Sequence, residues 1–360
     1  MKILIFAGGV GTRLWPLSRK NTPKQFGQII GDKSTLQQTI DRLTPEFDPK
    51  DIFIATGVQY KETVISQLHK IPQENFIFEP TMRDVGPAIG LNAFLLAKLH
   101  PDEPIAILWS DHMVKNHVMF RHVLRLAEES IIKYDANFVF IGQEPRFANQ
   151  NLGWIKLGEK IKEENGAEIY EFNKLLYRPK LEEAEQYFSV DNYVWNLGYF
   201  VTTPRFLVSL FKEHAPDMYS KLLEIQDAYQ TPEFEKVLHS VYSTLDKISF
   251  DDAILVKMSP KNVFVISTDL GWSDIGAWDA LKEALAESSE ENITKGKVLL
   301  EDTVDSLVFN YTDQLSVGID LKEMLVINTD DVLLVCPKSS VPKIKKLVEN
   351  LKGTSHEHLA

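Results

Sequence analysis

Over residues 1 to about 145, short apolar runs alternate with stretches whose apolar residues recur every three or four positions. The runs are ILIFA at 3–7, DIFIAT at 51–56, NFIFE at 75–79, PIAILWS at 104–110 and NFVFIG at 137–142. Apolar runs this short and this continuous suit strands covered on both faces, as in parallel sheets. The intervening stretches at 34–43, 58–69, 87–99 and 119–134 carry the helical period. Together they predict βαβ units and a doubly wound α/β layer.

The rhythm becomes mixed between 150 and 285. GWIKLG and YEFNKLLY read as strands, 180–188 and 204–256 as helical, and 263–267 as another buried strand. This stretch is expected to complete the same domain, giving a Rossmann-like, doubly wound mixed sheet over residues 1–288. The segment LAESSEENITKGK at 285–297 reads as a linker. Short strand candidates VLLE, SLVFN, LSVGI, MLVIN and VLLVC follow, then an amphipathic helix at 341–351, so 295–360 is expected to be a small C-terminal β domain. Its strands are too irregular to read as a repeat.

Charge and composition narrow the function. A formal charge of −12 opposes general nucleic-acid binding, which needs clustered cations, so any phosphate site must be local. No apolar run approaches the length of a membrane span, and the apolar N-terminal run stops at Gly8, too soon for a signal-peptide core. The lone Cys336 has no disulfide partner and is expected to be a core residue near a strand end. A cytoplasmic protein without membrane or nucleic-acid partners is the expectation.

In doubly wound sheets ligands bind beyond the carboxyl ends of the strands, which directs attention to Gly8 onward, to 79–87 and to 110–112. Directly after the first run comes GGVGTRLWPLSRKNTPKQF, residues 8–26. Gly8, Gly9 and Gly11 allow a sharp turn that presents backbone N–H groups to an anion. Arg13 and Lys24 flank the loop, and Pro16 and Pro23 stiffen it, so two cations could be aimed at a chain of phosphates. It is neither a P-loop, lacking Gly-Lys-Ser/Thr, nor a dinucleotide fingerprint, since Leu14 fills a position that must be small. Asp111 ends the run IAILWS and Asp274 lies in DLGWSDIGAW. Two such carboxylates suffice for Mg²⁺, which takes a few protein oxygens plus water and phosphate. Each could instead cap a helix, starting near Asn116 and Gly276 respectively. His112 is expected to be structural, since a hard cation favours oxygen, and His356 and His358 fall in a tail expected to fray.

The loop resembles the sugar-phosphate nucleotidyltransferase signature GGxGTRLxPLTxxxPK, and Trp15 with Gln25-Phe26 resembles its form in the mannose-1-phosphate guanylyltransferases. The resemblance implies that Gly8, Gly9, Gly11 and Thr12 hold nucleotide phosphates, that Arg13 faces the departing pyrophosphate and that Lys24 supports the phosphate region. WSDH and GWSDIGAW resemble the family's metal motifs, implying that Asp111 and Asp274 hold Mg²⁺, with Asp274 also serving the sugar phosphate. EPTMRDVGPAIG matches ExxxRNTAPA at Glu79, Arg83 and Pro87, which implies contacts near the base and the sugar. Asp84, Val85 and Gly86 stand where the family has Asn, Thr and Ala.

On the sugar-phosphate side, Gly153 matches the glycine of YGYI, and Asn196 in WNLGYF matches WNSGMF with Leu197 as a departure. LLYRPKLEEAEQYF aligns with FxEKP, where Arg178 keeps the cation while Tyr177 replaces the carboxylate with a hydroxyl that makes one hydrogen bond. Asp251 in SFDDAIL stands in the matching place of SIDYAVM. The resemblance runs to the closing DDVLLVCPKSSVPKIKKLVENL and includes no appended isomerase domain. It implies a left-handed β-helix-like tail, a homodimer, and GTP with mannose 1-phosphate as substrates. Transfer with another nucleotide or sugar phosphate, or a non-catalytic nucleotide-sugar-binding subunit, are the alternative expectations.

Overall fold

The computed structural model describes residues 1–9 and 11–360. The chain packs into two units: Met1–Ala7, Arg42–Trp109 and Asn116–Leu270 form one, and Gly8–Asp41, Ser110–Lys115 and Gly271–Ala360 the other. The expected boundary between 288 and 295 lies inside the second unit.

The first unit is built on nine strands: β1 (Lys2–Phe6), β2 (Ile52–Gly57), β3 (Phe76–Glu79), β4 (Ile105–Trp109), β5 (Phe138–Gln143), β6 (Gly153–Glu164), β7 (Ala167–Tyr177), β8 (Tyr193–Thr202) and β9 (Val263–Thr268). They lie in the order β3-β2-β1-β4-β8-β5-β9-β7-β6. The five apolar runs of the N-terminal half are β1 to β5, and β1 to β4 pair in parallel. β8 enters antiparallel between β4 and β5, with Phe200 opposite both Ile107 and Phe140, and this makes the sheet mixed.

Aromatic packing fixes that insertion. The Phe200 ring stacks on Phe138 at 4.6 Å and on Phe250 at 5.6 Å between centroids. Truncating Phe200 to alanine would cost about 3–5 kcal/mol, because a close-packed interior cannot refill the space. The helix Val85–Leu99 is buried on nearly every side, and Asp84, at φ 72°, accepts from the Val85 N–H at 2.7 Å. A Cβ on Gly86 would meet the Ile248 carbonyl oxygen at 2.7 Å, so glycine admits the chain at 248–249 where the related motif carries alanine. The stretch read as helical over 204–256 is divided into Pro204–His214, Pro216–Ala228, Phe234–Tyr242 and Phe250–Ala253.

In the second unit the terminal strands coil. Ile293–Lys295, Leu307–Asn310 and Met324–Asn328 pair in parallel, as do Val298–Glu301 and Ser316–Ile319. Side chains staple successive turns eighteen residues apart: Thr303 accepts from the Leu321 N–H, Ser306 from the Met324 N–H, and Asn328 donates to Asn310. Residues 293–295, expected in a linker, are thus the first strand of the coil. Leu333–Pro337 closes it antiparallel and holds Cys336, which is half-buried rather than in the core. The helix Ile344–Leu351 then lays Ile344 and Val348 on a core shared with Leu14, Trp15, Trp278 and Phe309. The tail beyond it is tied down too, because Trp15 Nε1 donates to the Leu359 carbonyl at 2.6 Å. Among the described residues, no helix is long and apolar enough to cross a membrane.

Candidate active site

Gly9 and Gly11 adopt the left-handed region, at φ 87° and 69°. Gly11 is required twice over: a Cβ there would lie 2.8 Å from Cγ and Cδ of Lys24, whose stem crosses directly above it. Gly8 and Gly9 face open space, with nothing within 4 Å of a notional Cβ. Gln25, which is buried, donates to the Gly9 carbonyl at 3.2 Å, and Trp15 receives the Trp278 indole N–H on its own carbonyl at 2.9 Å. Trp15 and Gln25, two of the three residues that mark the resemblance to the guanylyltransferase form of the motif, therefore brace the loop.

A two-residue ribbon brings the carboxylates together. Met113–Val114 pairs antiparallel with Trp272–Ser273, which places Asp111 and Asp274 at neighbouring ends. Lys24 Nζ lies 2.7 Å from Asp111 Oδ2 and donates to the Asp274 carbonyl at 3.4 Å. Arg13 Nη2 and Asp274 Oδ2 flank Gly276, 3.1 and 3.0 Å from where its Cβ would stand. Gly11, Arg13, Lys24, Asp111 and Asp274 thus converge. Neither carboxylate caps a helix: Asn116 accepts from the Met119 N–H at 3.0 Å, and the helix Trp278–Leu285 starts at Ala277 without a side-chain cap.

Burial pushes the Asp111 pKa up, but the charges of Lys24 and His112 and the hydrogen bond from Lys24 outweigh it, so it is held below its ordinary value. Trp272 Nε1 donates to His112 Nδ1 at 3.1 Å, and His112 Nε2 stands 3.9 Å from Asp111 Oδ1. A hard cation favours oxygen, so the donors suited to it here are the carboxylates. Among the described residues no cluster of three or more His, Cys, Asp or Glu forms a metal site. Two carboxylates, one of them firmly ionised, fit Mg²⁺, whose remaining ligands are water and phosphate.

In the first unit, Gly153, Tyr177 and Asn196 form one row across β7, β6 and β8, Gly153 being paired with both of the others. A Cβ on Gly153 would come within 3.2 Å of Asn196 Cβ. Asn196 accepts from the Gly198 N–H at 3.0 Å and donates to Asp251 Oδ1 at 3.3 Å. Arg178, at φ 49°, lies over the Tyr177 ring at 5.0 Å. Burial raises the Asp251 pKa to about 6, with Asp252 adding to the rise while its own backbone N–H, Arg178 and Asn196 oppose it.

Glu79 and Arg83 meet at a different feature of that unit, the end of the helix Phe234–Tyr242. The Tyr242 hydroxyl donates to Glu79 at 2.6 Å, and Arg83 donates to the Ser243 carbonyl. Burial lifts the Glu79 pKa to about 7, against the lowering effect of that hydroxyl. Pro87 is buried within the first turn of Val85–Leu99. Sequence reasoning did not find the roles of Tyr242, Trp272 and Gln25; an indole within GWSDIGAW was the one visible signal, since such side chains when buried seek an acceptor.

The nucleotidyl transferase family model matches residues 2–291. The chain belongs to the nucleotidyl transferase family. Mannose-1-phosphate guanylyltransferase 2 of Escherichia coli O157:H7 is 32% identical over 357 residues, spanning 97% of this chain and 73% of that protein. Mannose-1-phosphate guanylyltransferase of Escherichia coli K12 is 31% identical over 362 residues, spanning 99% and 74%. A crystal structure from Thermus thermophilus, described as a mannose-1-phosphate geranyltransferase, superposes with a TM-score of 0.85 at 27% identity, covering 98% of this chain and 99% of that one. The mixed α/β sheet is a nucleotidyltransferase fold, and the chain is an enzyme of the nucleotidyltransferase class.

Proposed function

We propose that the enzyme transfers GMP from GTP to α-D-mannose 1-phosphate, giving GDP-mannose and pyrophosphate. The observation that carries the reading is Lys24, whose ammonium joins Asp111 to the Asp274 segment over a glycine turn beside Arg13. The relatives named mannose-1-phosphate guanylyltransferase, at about 30% identity over nearly the whole chain, support the choice of substrates.

A phosphate oxygen of the sugar phosphate forms the new bond to the α-phosphorus of GTP, while the bond from that phosphorus to the β-phosphate oxygen breaks. Pyrophosphate leaves with the electron pair. No proton transfer or covalent enzyme intermediate is required, so the protein's task is to hold two anions together and to neutralise charge on the departing oxygens. N–H groups of Gly8, Gly9, Gly11 and Thr12 cradle the phosphates, Arg13 faces the pyrophosphate, and Lys24 stabilises the phosphate chain. Asp111 and Asp274 would hold Mg²⁺, which supplies further charge neutralisation when bound. Arg83 and Pro87 serve the nucleotide side. Glu79, Gly153, Tyr177, Arg178 and Asn196 serve the sugar phosphate, with Asp274 shared between the two substrates. From the sequence resemblance the enzyme is read as a catalytic domain of residues 1–288 and a left-handed β-helix-like tail of residues 295–360, in a cytoplasmic homodimer; the eighteen-residue staples fit a coiled tail.

Pyrophosphate release, measured with four nucleoside triphosphates against several sugar 1-phosphates in the presence of Mg²⁺, tests the reading. GTP with mannose 1-phosphate is expected to give the highest kcat/KM. A different preferred pair would redirect the substrate assignment toward the altered contact at Tyr177, and silence in every combination would favour a non-catalytic nucleotide-sugar-binding subunit.

A further inference from the structure

Lys24 reaches Asp111 from a single turn, Lys24–Phe26, and the chain just beyond that turn is held by the terminal coil. Residues 28–31 lie outside any helix or strand. Lys295 Nζ donates to the carbonyls of Gln28, Ile29 and Gly31 at 2.9, 3.2 and 3.3 Å. An ammonium has three N–H donors, so all of them are committed to this one segment. The Tyr311 hydroxyl donates to the same Ile29 carbonyl at 3.1 Å, and the Lys295 ammonium sits 4.5 Å from the centre of the Tyr311 ring. The aromatic face and the carbonyls together replace water around the charge.

The same stretch of chain is tied to the terminal segments on the other side of Lys24. Arg19 grips both carboxylate oxygens of Asp331 at 2.6 Å each, and Trp15 donates to the Leu359 carbonyl at 2.6 Å. Fixing an irregular segment costs about 1–2 kcal/mol of conformational entropy per residue, so an unanchored loop would spread Lys24 over several positions. Charge stabilisation of a transferring phosphoryl group needs placement within about 0.5 Å.

We propose that Lys295 and Tyr311 are positioning residues: they fix residues 28–31 and, through the adjoining turn, the place of the Lys24 ammonium. The inference rests on the reading of Lys24 as a phosphate contact under Proposed function. It gives the coil a part in nucleotide binding.

The test compares Lys295→Met, Tyr311→Phe and Lys295→Arg with Lys24→Ala in the full chain, recording kcat, KM for GTP, KM for the sugar phosphate and melting temperature. Lys295→Met is expected to raise KM for GTP about tenfold, and Tyr311→Phe about threefold, with kcat falling alongside and KM for the sugar phosphate within about twofold. Lys295→Arg, which keeps several donors, should restore most of the loss. A lowered melting temperature with unchanged KM for GTP in both single variants would mean the contacts are only structural and would overturn the proposal. Should Lys295→Met fail to fold, Tyr311→Phe decides alone, and an unchanged KM for GTP sinks it. If Lys24→Ala itself leaves GTP kinetics untouched, the phosphate reading fails and takes the clamp with it; an effect at Lys24 without one at Lys295 or Tyr311 removes the clamp alone.

Discussion

The segment carrying Lys24 and the row of Gly153, Tyr177 and Asn196 are held by different means. In the first, the charged groups come from one turn, a glycine bend and the ends of a two-residue ribbon, and side-chain ties from Gln25, Trp15 and Lys295 set their positions. In the second, strand register does the placing, because β6, β7 and β8 put the three residues side by side before any side chain is considered. Their electrostatics diverge as well. Asp111 is held in its ionised form by Lys24, whereas Asp251 is pushed toward its neutral form by burial. A site tied by side chains is sensitive to the loss of any one of them, while a row set by register keeps its backbone geometry and changes mainly in selectivity.

The largest expected effect probes the tied site. Asp111→Asn removes the charge that Lys24 meets at 2.7 Å and should lower kcat by about 10²–10³ with the fold retained, as checked by steady-state kinetics and circular dichroism. Near-normal Mg²⁺-dependent turnover would break the contrast by showing that the pair is not part of the chemistry. Next comes Gly11→Ala, which forces a left-handed backbone on alanine and drives its methyl into the Lys24 stem; a loss of roughly 2–3 kcal/mol in chemical denaturation is expected. Gly8→Ala, facing open space, should leave stability unchanged.

The smallest effect belongs to the row. The folded-state pKa of Asp251 is raised from 3.8 to about 6, so between those values the native state binds more protons than the unfolded one. Stability therefore falls as pH rises through that window. Asp251→Asn should flatten that part of the profile measured by denaturation at a series of pH values, and an unaltered slope would show that the row does not hold a raised carboxyl.

Legibility in the sequence followed how local each signal was. β1 to β5 are readable because a strand covered on both faces needs only its own apolar run. β8 is less so, because Asn196 and Gly198 interrupt YVWNLGYFVT, and its central place depends on partners far along the chain. The coil repeats its hydrogen bonds rather than its residues: Thr303, Ser306 and Asn310 meet Leu321, Met324 and Asn328, a ladder without self-similar sequence. Within the candidate site, Asp111 was visible at the end of an apolar strand. The service of Tyr242 to Glu79, at a sequence separation of 163, and that of Lys295 to the loop had no local signature.

The placement of β8 also bears on how the protein is made. β4 and β5 flank it and do not pair with each other, so their facing edges stay open until Thr202 has been synthesised. An emerging chain that contains Ile105–Trp109 and Phe138–Gln143 but lacks β8 carries two bare apolar edges, the kind of surface that invites association with other chains. Closure of the sheet thereby waits until β8 itself has emerged.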